Sequence, residues 1–179
     1  MKFHMKIAAI CAFALLAVLA PRESYAQGAK LRLDQLDRLS SKAKEVVNVN
    51  LDESLVQQAS AMGGKQPDEK TQQALQGLKG VYVRSFEFTG RNAYSDSDLE
   101  AVRTQLKGPG WSRIVSVHDD GELAEIYVWK DASGDSGGLA IIAADGQELT
   151  VVNLIGRVNL AQLGALGGQL GVPMLPKGK

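Results

Sequence analysis

The sequence predicts an α+β domain, in which an antiparallel sheet of about five strands is covered by N-terminal helices and a C-terminal helix. Residues 27–78 carry apolar side chains mainly at helical spacing, whereas residues 79–179 begin with runs of β-branched and aromatic residues. Two Asp-Gly pairs separate strand-like runs in this second part, and such pairs suit tight hairpins because both residues tolerate a positive φ. Helical runs followed by strand runs favour α+β over an alternating fold.

The amino terminus has the three-part layout of a secretory signal peptide. Lysines lie within Met1–Lys6, an uncharged apolar run spans Ile7–Ala20, and Ser24–Ala26 places small residues at the two positions that a signal peptidase reads. The apolar run is shorter than the ~20 residues that a membrane span needs. We expect residues 1–26 to be removed after Ala26, leaving residues 27–179 as a single exported domain, periplasmic or secreted, without a membrane span.

Composition excludes several classes of function. The chain has 20 basic and 20 acidic residues with no basic block, which argues against nucleic-acid binding. Its one cysteine, Cys11, lies in the predicted signal peptide, as does one of its two histidines, His4. His118 is the histidine that remains after cleavage. A zinc site needs clustered Cys and His. We therefore expect no metal, no cofactor and no catalytic residue set.

The elements of the first part are predicted by apolar spacing. A helix is expected over Ala29–Glu45, followed by a weak strand at Val46–Asn50. A second helix opens at Leu51 or Asp52 and stops at Gly63-Gly64, because glycine adopts the left-handed conformation that closes a helix. A third short helix is expected over Asp68–Leu78.

The second part predicts a strand, a helix, a four-stranded meander and a closing helix. The strand is Val81–Phe88, and a capping box at Ser97–Glu100 opens the helix after it. Asn159 caps the closing helix, whose apolar side includes Leu163. The meander strands are Ser112–Val117, Leu123–Lys130, Leu139–Ala143 and Leu149–Ile155.

The segment Gly134–Gly138 spells G-D-S-G-G, which surrounds the nucleophile of chymotrypsin-like serine proteases. A serine nucleophile at Ser136 needs a base within hydrogen-bond reach, and His118 is the candidate. On the hairpin interpretation the two residues lie at opposite ends of a strand, roughly 25 Å apart. The sequence therefore favours a strand connector, with a hydrolase using Ser136 as an alternative.

The same connector has alternating oxygen-bearing side chains at Asp131, Ser133 and Asp135. An EF-hand loop would next need Gly, where Ser136 stands, and Glu at its twelfth position, which is Ile142. The loop fails both requirements, so it does not predict an EF-hand. A weaker calcium site in the acidic loops stays open.

Two features are candidate binding surfaces. If Ile126 and the other aliphatic residues of its strand face the core, Tyr127 and Trp129 lie on the other face, which is either open or covered by the N-terminal helices. The segment Val158–Pro176 has no charged residue, so Leu163 either docks on the sheet or contacts a partner. Tyr127, Trp129 and Leu163 are the binding candidates.

Several segments together resemble a bacterial family of exported domains, domain of unknown function 4252. They are L-D-Q-L from Leu33, K-A-K-E-V-V-N-V-N-L-D from Lys42, L-K-G-V-Y-V-R-S-F-E-F from Leu78 and the closing Val151–Leu163. The resemblance implies an exported protein and carries over no functional residue. We expect a non-enzymatic cell-envelope interaction or regulatory domain with an envelope protein partner, the oligomeric state being open. A small-ligand or lipid binder is the alternative, beside the hydrolase.

Overall fold

The computed structural model of the protein describes residues 28–62, 77–91 and 93–157, with side chains omitted for 59–62. Its centre is a six-stranded sheet in which every neighbouring pair is antiparallel. The strands are β1 Glu45–Asp52, β2 Leu78–Glu87, β3 Trp111–Asp119, β4 Glu122–Lys130, β5 Ser136–Ala144 and β6 Glu148–Gly156. Their spatial order is β1-β2-β6-β5-β4-β3.

Three helical elements accompany the sheet. A 3-10 helix spans Asp34–Ser41, α1 spans Glu53–Met62 and α2 spans Asp96–Leu106. The α+β class is therefore confirmed, with six strands where about five were expected. The predicted signal peptide, the third helix up to residue 76 and the C-terminal helix lie outside the described residues.

The meander is confirmed, because β3, β4, β5 and β6 are consecutive neighbours. Asp120 and Gly121 have φ angles of 43° and 86° at the β3–β4 turn, the pair of positive values that tight hairpins require. The β5–β6 connection is closed differently. The Asp145 carboxylate accepts hydrogen bonds from the backbone N–H groups of Gln147 and Glu148, both at 2.6 Å.

The additional strand is β1, which covers the weakly predicted Val46–Asn50 run and extends it at both ends. It pairs with β2 in a continuous register from Glu45 opposite Glu87 to Asp52 opposite Gly80. β1 thus separates the two helical elements within residues 28–62. The strand was only weakly predicted because its side chains are largely exposed, so no alternation of apolar and polar residues marks it.

The predicted helix over Ala29–Glu45 was wrong in length and type. The 3-10 helix begins only at Asp34, and Leu33, Leu36 and Leu39 lie on its buried side. Their three-residue spacing matches the three residues per turn of a 3-10 helix. Before it, Asn153 of β6 fixes a segment without regular structure, accepting from the Leu31 N–H at 2.9 Å and donating to the Ala29 carbonyl at 3.0 Å.

The N-terminus of α2 also differs from the prediction. Ser95, rather than Ser97, is the N-cap residue, and Asp98 stands at the third helical position. The Asp98 carboxylate accepts from the Ser95 N–H at 2.8 Å and from Arg38 Nη2 at 2.6 Å. The second contact comes from the 3-10 helix, so a distant residue favours the earlier helix start.

Both faces of the sheet are buried over its central strands β2, β6, β5 and β4, whereas most β1 and β3 side chains are exposed. On one face Phe86, Ile142 and Val151 pack with Leu36 of the 3-10 helix and Leu99 of α2. The opposite face carries an aliphatic cluster from the strands, and Val56 of α1 packs on it. No helix within the described ranges is long and apolar enough to cross a membrane.

Candidate functional site

The outer edge of β1 is an exposed polypeptide edge. Within 28–62, 77–91 and 93–157, no strand pairs with it, since β1 ends the sheet. Edge strands present a row of unpaired N–H and C=O groups on their outer side. Val46 and Val47 are 36% and 44% exposed on its two faces. We call this surface, formed by Glu45–Asp52, the β1 edge.

The other end of the sheet, β3, is a less suitable edge. Its pairing with β4 is interrupted between Arg113 and Val115, where the register shifts. Such bulges twist a strand and are one way in which proteins prevent pairing at an edge. The β1 edge has no such shift against β2, and its interior V-V-N-V-N-L contains neither Lys nor Pro. Among the described residues it therefore lacks a bulge, a lysine and a proline, three of the usual devices that protect an edge.

The helix that follows extends this surface. Asp52, the last residue of β1, accepts a hydrogen bond from the Leu55 N–H at 2.9 Å and so caps α1. α1 packs on β2 and β1. The Leu55 side chain is 43% exposed, so it adds exposed apolar area in the first helical turn after β1.

Polar contacts fix β1 to the rest of the domain. Arg84 of β2 is 8% exposed, and its Nε donates to Asp37 Oδ1 at 2.8 Å while Nη1 donates to Asn50 Oδ1 at 3.0 Å. The Asp37 contact joins the 3-10 helix, and the Asn50 contact joins β1. A preorganised edge loses less conformational entropy when a partner strand binds.

The predicted aromatic candidates are covered. Tyr127 is 7% exposed, and its hydroxyl donates to Glu125 Oε2 at 3.0 Å. Burial and the Glu125 carboxylate raise the pKa of Tyr127. Of the two alternatives for this face, the structure shows coverage by the N-terminal segment and α2.

Trp129 is partly buried beside three glycines. A Cβ atom at Gly28, Gly110 or Gly137 would lie 2.7, 2.5 or 2.9 Å from the indole. The indole Nε1 donates to the Pro109 carbonyl at 3.2 Å. The ring is therefore a packing element at the end of β4. Leu163, the third candidate, lies outside the described residues.

Sequence reasoning missed a buried carboxylate, Glu125, which is 4% exposed. Arg103 Nε of α2 lies 3.3 Å from its Oε2, and Arg113 Nη1 of β3 lies 3.6 Å from its Oε1. The signal that could have found it is a charged residue on the same alternating face as Tyr127. With two cationic partners and the tyrosine hydroxyl, Glu125 is a neutralised structural anion that joins α2 to the sheet.

Ser136 and His118 are far apart, as predicted. His118 pairs with Leu123 at one end of β4, whereas Ser136 pairs with Lys130 at the other. Seven residues of extended strand separate these positions, which is roughly 23 Å. Ser136 lines a surface cavity of about 500 Å³, whose described lining includes Lys79 but no histidine.

The connector before Ser136 uses its acidic residue internally. Asp131 Oδ1 accepts from the Ser133 N–H at 2.8 Å, the Ser133 hydroxyl at 2.6 Å and the Asp135 N–H at 3.0 Å. Hydrogen bonding by Ser133, opposed by slight desolvation, lowers the pKa of Asp131. The carboxylate therefore closes the loop. Over the part of the chain that the structure describes, no group of three or more His, Cys, Asp or Glu residues could hold a metal ion.

A second cavity, of about 700 Å³, lies at the opposite end of the sheet between the β2–α2 loop and two hairpin turns. Tyr94 lines it, and its hydroxyl donates to the Asp145 carbonyl. Burial, with Asp145 and Asp96 nearby, raises the pKa of Tyr94 to about 12. A phenol held neutral in this way serves as a hydrogen-bond donor between the loop and the turn.

The fold and the exposed edge together define an α+β domain whose edge strand β1 is unpaired on its outer side within the described ranges. The model of the family described as Domain of unknown function (DUF4252) matches residues 40–166, and the chain belongs to this family. A search of curated proteins finds no significant match. Among solved structures, PA94 of Pseudomonas aeruginosa, a protein of unknown function, is similar at 11% identity. The match covers 75% of this chain and 85% of that chain with a TM-score of 0.29, and no residue role is carried over from it.

Proposed function

We propose that the protein is an exported, non-enzymatic interaction domain of the cell envelope, and that it binds an extended polypeptide segment at the β1 edge. The single observation that carries this proposal is the open edge itself, eight residues long, in continuous register and with exposed valines on both faces. Addition of a strand to such an edge is an established mode of polypeptide recognition.

The chemistry of the edge suits strand addition. Main-chain hydrogen bonds supply affinity, and contacts with alternate side chains supply selectivity. An incoming strand would place side chains beside Val46 on one face and Val47 on the other. Leu55 lies on α1, which packs on β1, so it offers a further apolar contact.

The proposal is tested by cross-linking the tagged protein in its native envelope and identifying the polypeptides recovered. Two single variants are compared with the unaltered chain. Val47→Lys places a charge on the β1 edge, where lysine is a common device against strand pairing. Ile114→Lys is the matched control, because Ile114 is an exposed aliphatic residue (50%) on the opposite edge strand.

We expect Val47→Lys to abolish recovery of the cross-linked polypeptide and Ile114→Lys to preserve it. Equal recovery with both variants, at unchanged thermal stability, would overturn the proposal. Export is tested separately by determining the N-terminus of the envelope-associated protein. The proposal expects it at Gln27, following cleavage after Ala26, and an intact Met1 would contradict it.

A further inference from the structure

We infer that the strand added at the β1 edge is β1 of a second copy of this chain, so that two sheets join into one continuous twelve-stranded sheet. This inference rests on the proposed function, since it names the polypeptide that the β1 edge binds. It follows from the self-complementarity of the strand when two copies run antiparallel.

Symmetry restricts the possible registers. A two-fold axis perpendicular to the sheet reverses the strand direction and keeps the two faces continuous, so paired residues must point to the same face. Alternate residues of β1 share a face. A symmetric pair is therefore centred on one residue, which lies opposite itself in the second copy.

Centring on Asn48 gives complementary pairs along the strand. Val47 then lies opposite Val49 of the second copy, and Val46 lies opposite Asn50 of the second copy. Glu45 lies opposite Leu51 of the second copy. Lys44 precedes β1 at a bend, and its Nζ lies 2.9 Å from Glu87 Oε1 of its own chain, so its charge stands at the end of the strand that approaches Asp52 of the second copy. Each of these pairs occurs twice.

The neighbouring register is less favourable. Centring on Val49 would place Val46 opposite Asp52 and would bring Glu45 next to Glu53 of the second copy. Like charges directly opposite each other are destabilising. The like charges of Glu45 and Glu53 therefore disfavour the register centred on Val49 relative to the one centred on Asn48.

Single-cysteine variants test the register directly. The chain has one cysteine, Cys11, so a Cys11→Ser background leaves each introduced cysteine alone. In that background, Asn48→Cys places two thiols opposite each other across the axis, within disulfide reach. Val46→Cys is the matched control on the same face. In the register centred on Asn48, Val46 of the second copy lies four residues further along the strand than the position opposite Val46. The two thiols would be roughly 13 Å apart, too far to form a disulfide.

We expect oxidised glutathione to convert most of the purified full-length Asn48→Cys variant into a disulfide-linked dimer and to leave Val46→Cys monomeric. Equal cross-linking of both variants, or of neither, would overturn the inference. Sedimentation equilibrium of the unaltered chain gives a second measurement that needs no cysteine. We expect a monomer–dimer equilibrium whose dissociation constant rises at least tenfold in Val47→Lys, whereas a monomer at every concentration would contradict the inference.

The two proposals fail in different ways. If the purified chain is monomeric while Val47→Lys still abolishes capture of another polypeptide in the envelope, the second copy is wrong and the β1 edge remains the interaction site. If Val47→Lys changes neither capture nor sedimentation, both proposals fail.

Discussion

The Trp129 side chain depends on three glycines. Its indole fills space that Gly28, Gly110 and Gly137 leave free. These three glycines come from the N-terminal segment, the α2–β3 connection and β5, so one ring joins three parts of the chain. Sequence alternation put Trp129 on the face opposite the aliphatic residues, but could not show that residues 28–33 return to cover that face.

The glycine at position 137 therefore has a measurable effect. In Gly137→Ala the new Cβ would lie 2.9 Å from the Trp129 ring, so either the ring or the strand must shift. We expect a loss of about 1–3 kcal/mol in the free energy of unfolding, measured by urea denaturation. Gly90→Ala is the matched control, because its Cβ would have no neighbour within 4 Å. Equal stability of the two variants would contradict the packing role of Gly137.

At the scale of elements, the sequence pattern predicted the elements that are stabilised by contacts between residues close together in the chain. The β3–β4 hairpin follows from alternation and from Asp120-Gly121. The late start of the 3-10 helix could not be predicted, because the contact that fixes the preceding residues comes from Asn153, 122 residues from Leu31. The edge position of β1 was equally unpredictable, since it depends on β2 pairing with β6.

The contact between the 3-10 helix and α2 predicts a pH dependence. Burial of Asp98 raises its pKa, but hydrogen bonds from Ser95 and Arg38 outweigh this effect and lower the pKa overall. A depressed pKa in the folded state means that the stabilisation is complete above the pKa of the unfolded chain and is lost as the pH falls through the folded value.

We therefore expect Asp98→Asn to lower the free energy of unfolding by about 1–2 kcal/mol at neutral pH. The difference from the unaltered chain should shrink as the pH falls below about 4. Urea titrations at a series of pH values measure it. Asp119→Asn, an exposed carboxylate at a strand end, should differ by less than about 0.5 kcal/mol throughout. A difference for Asp98→Asn that stays constant down to acidic pH would exclude the ionic contribution.

At the scale of the whole molecule, the sheet has two ends of different character. The β3 end carries a bulge, whereas the β1 end is regular, exposed and anchored by Arg84. In a monomer, an unpaired edge of this kind is a template for pairing with another extended chain. If the β1 edges of two copies pair, the backbone groups on the outer side of both β1 strands form hydrogen bonds. This gives the molecule a structural reason to associate.

Amide hydrogen exchange of the purified chain, followed by mass spectrometry across a range of protein concentrations, tests the role of the β1 edge most directly. Outward-pointing amides of an open edge exchange rapidly, and pairing with another strand protects them. We predict that protection of Glu45–Asp52 rises with concentration, that Trp111–Asp119 shows no such change, and that Val47→Lys removes the effect. Exchange in Glu45–Asp52 that is the same at every concentration would contradict self-pairing at the β1 edge.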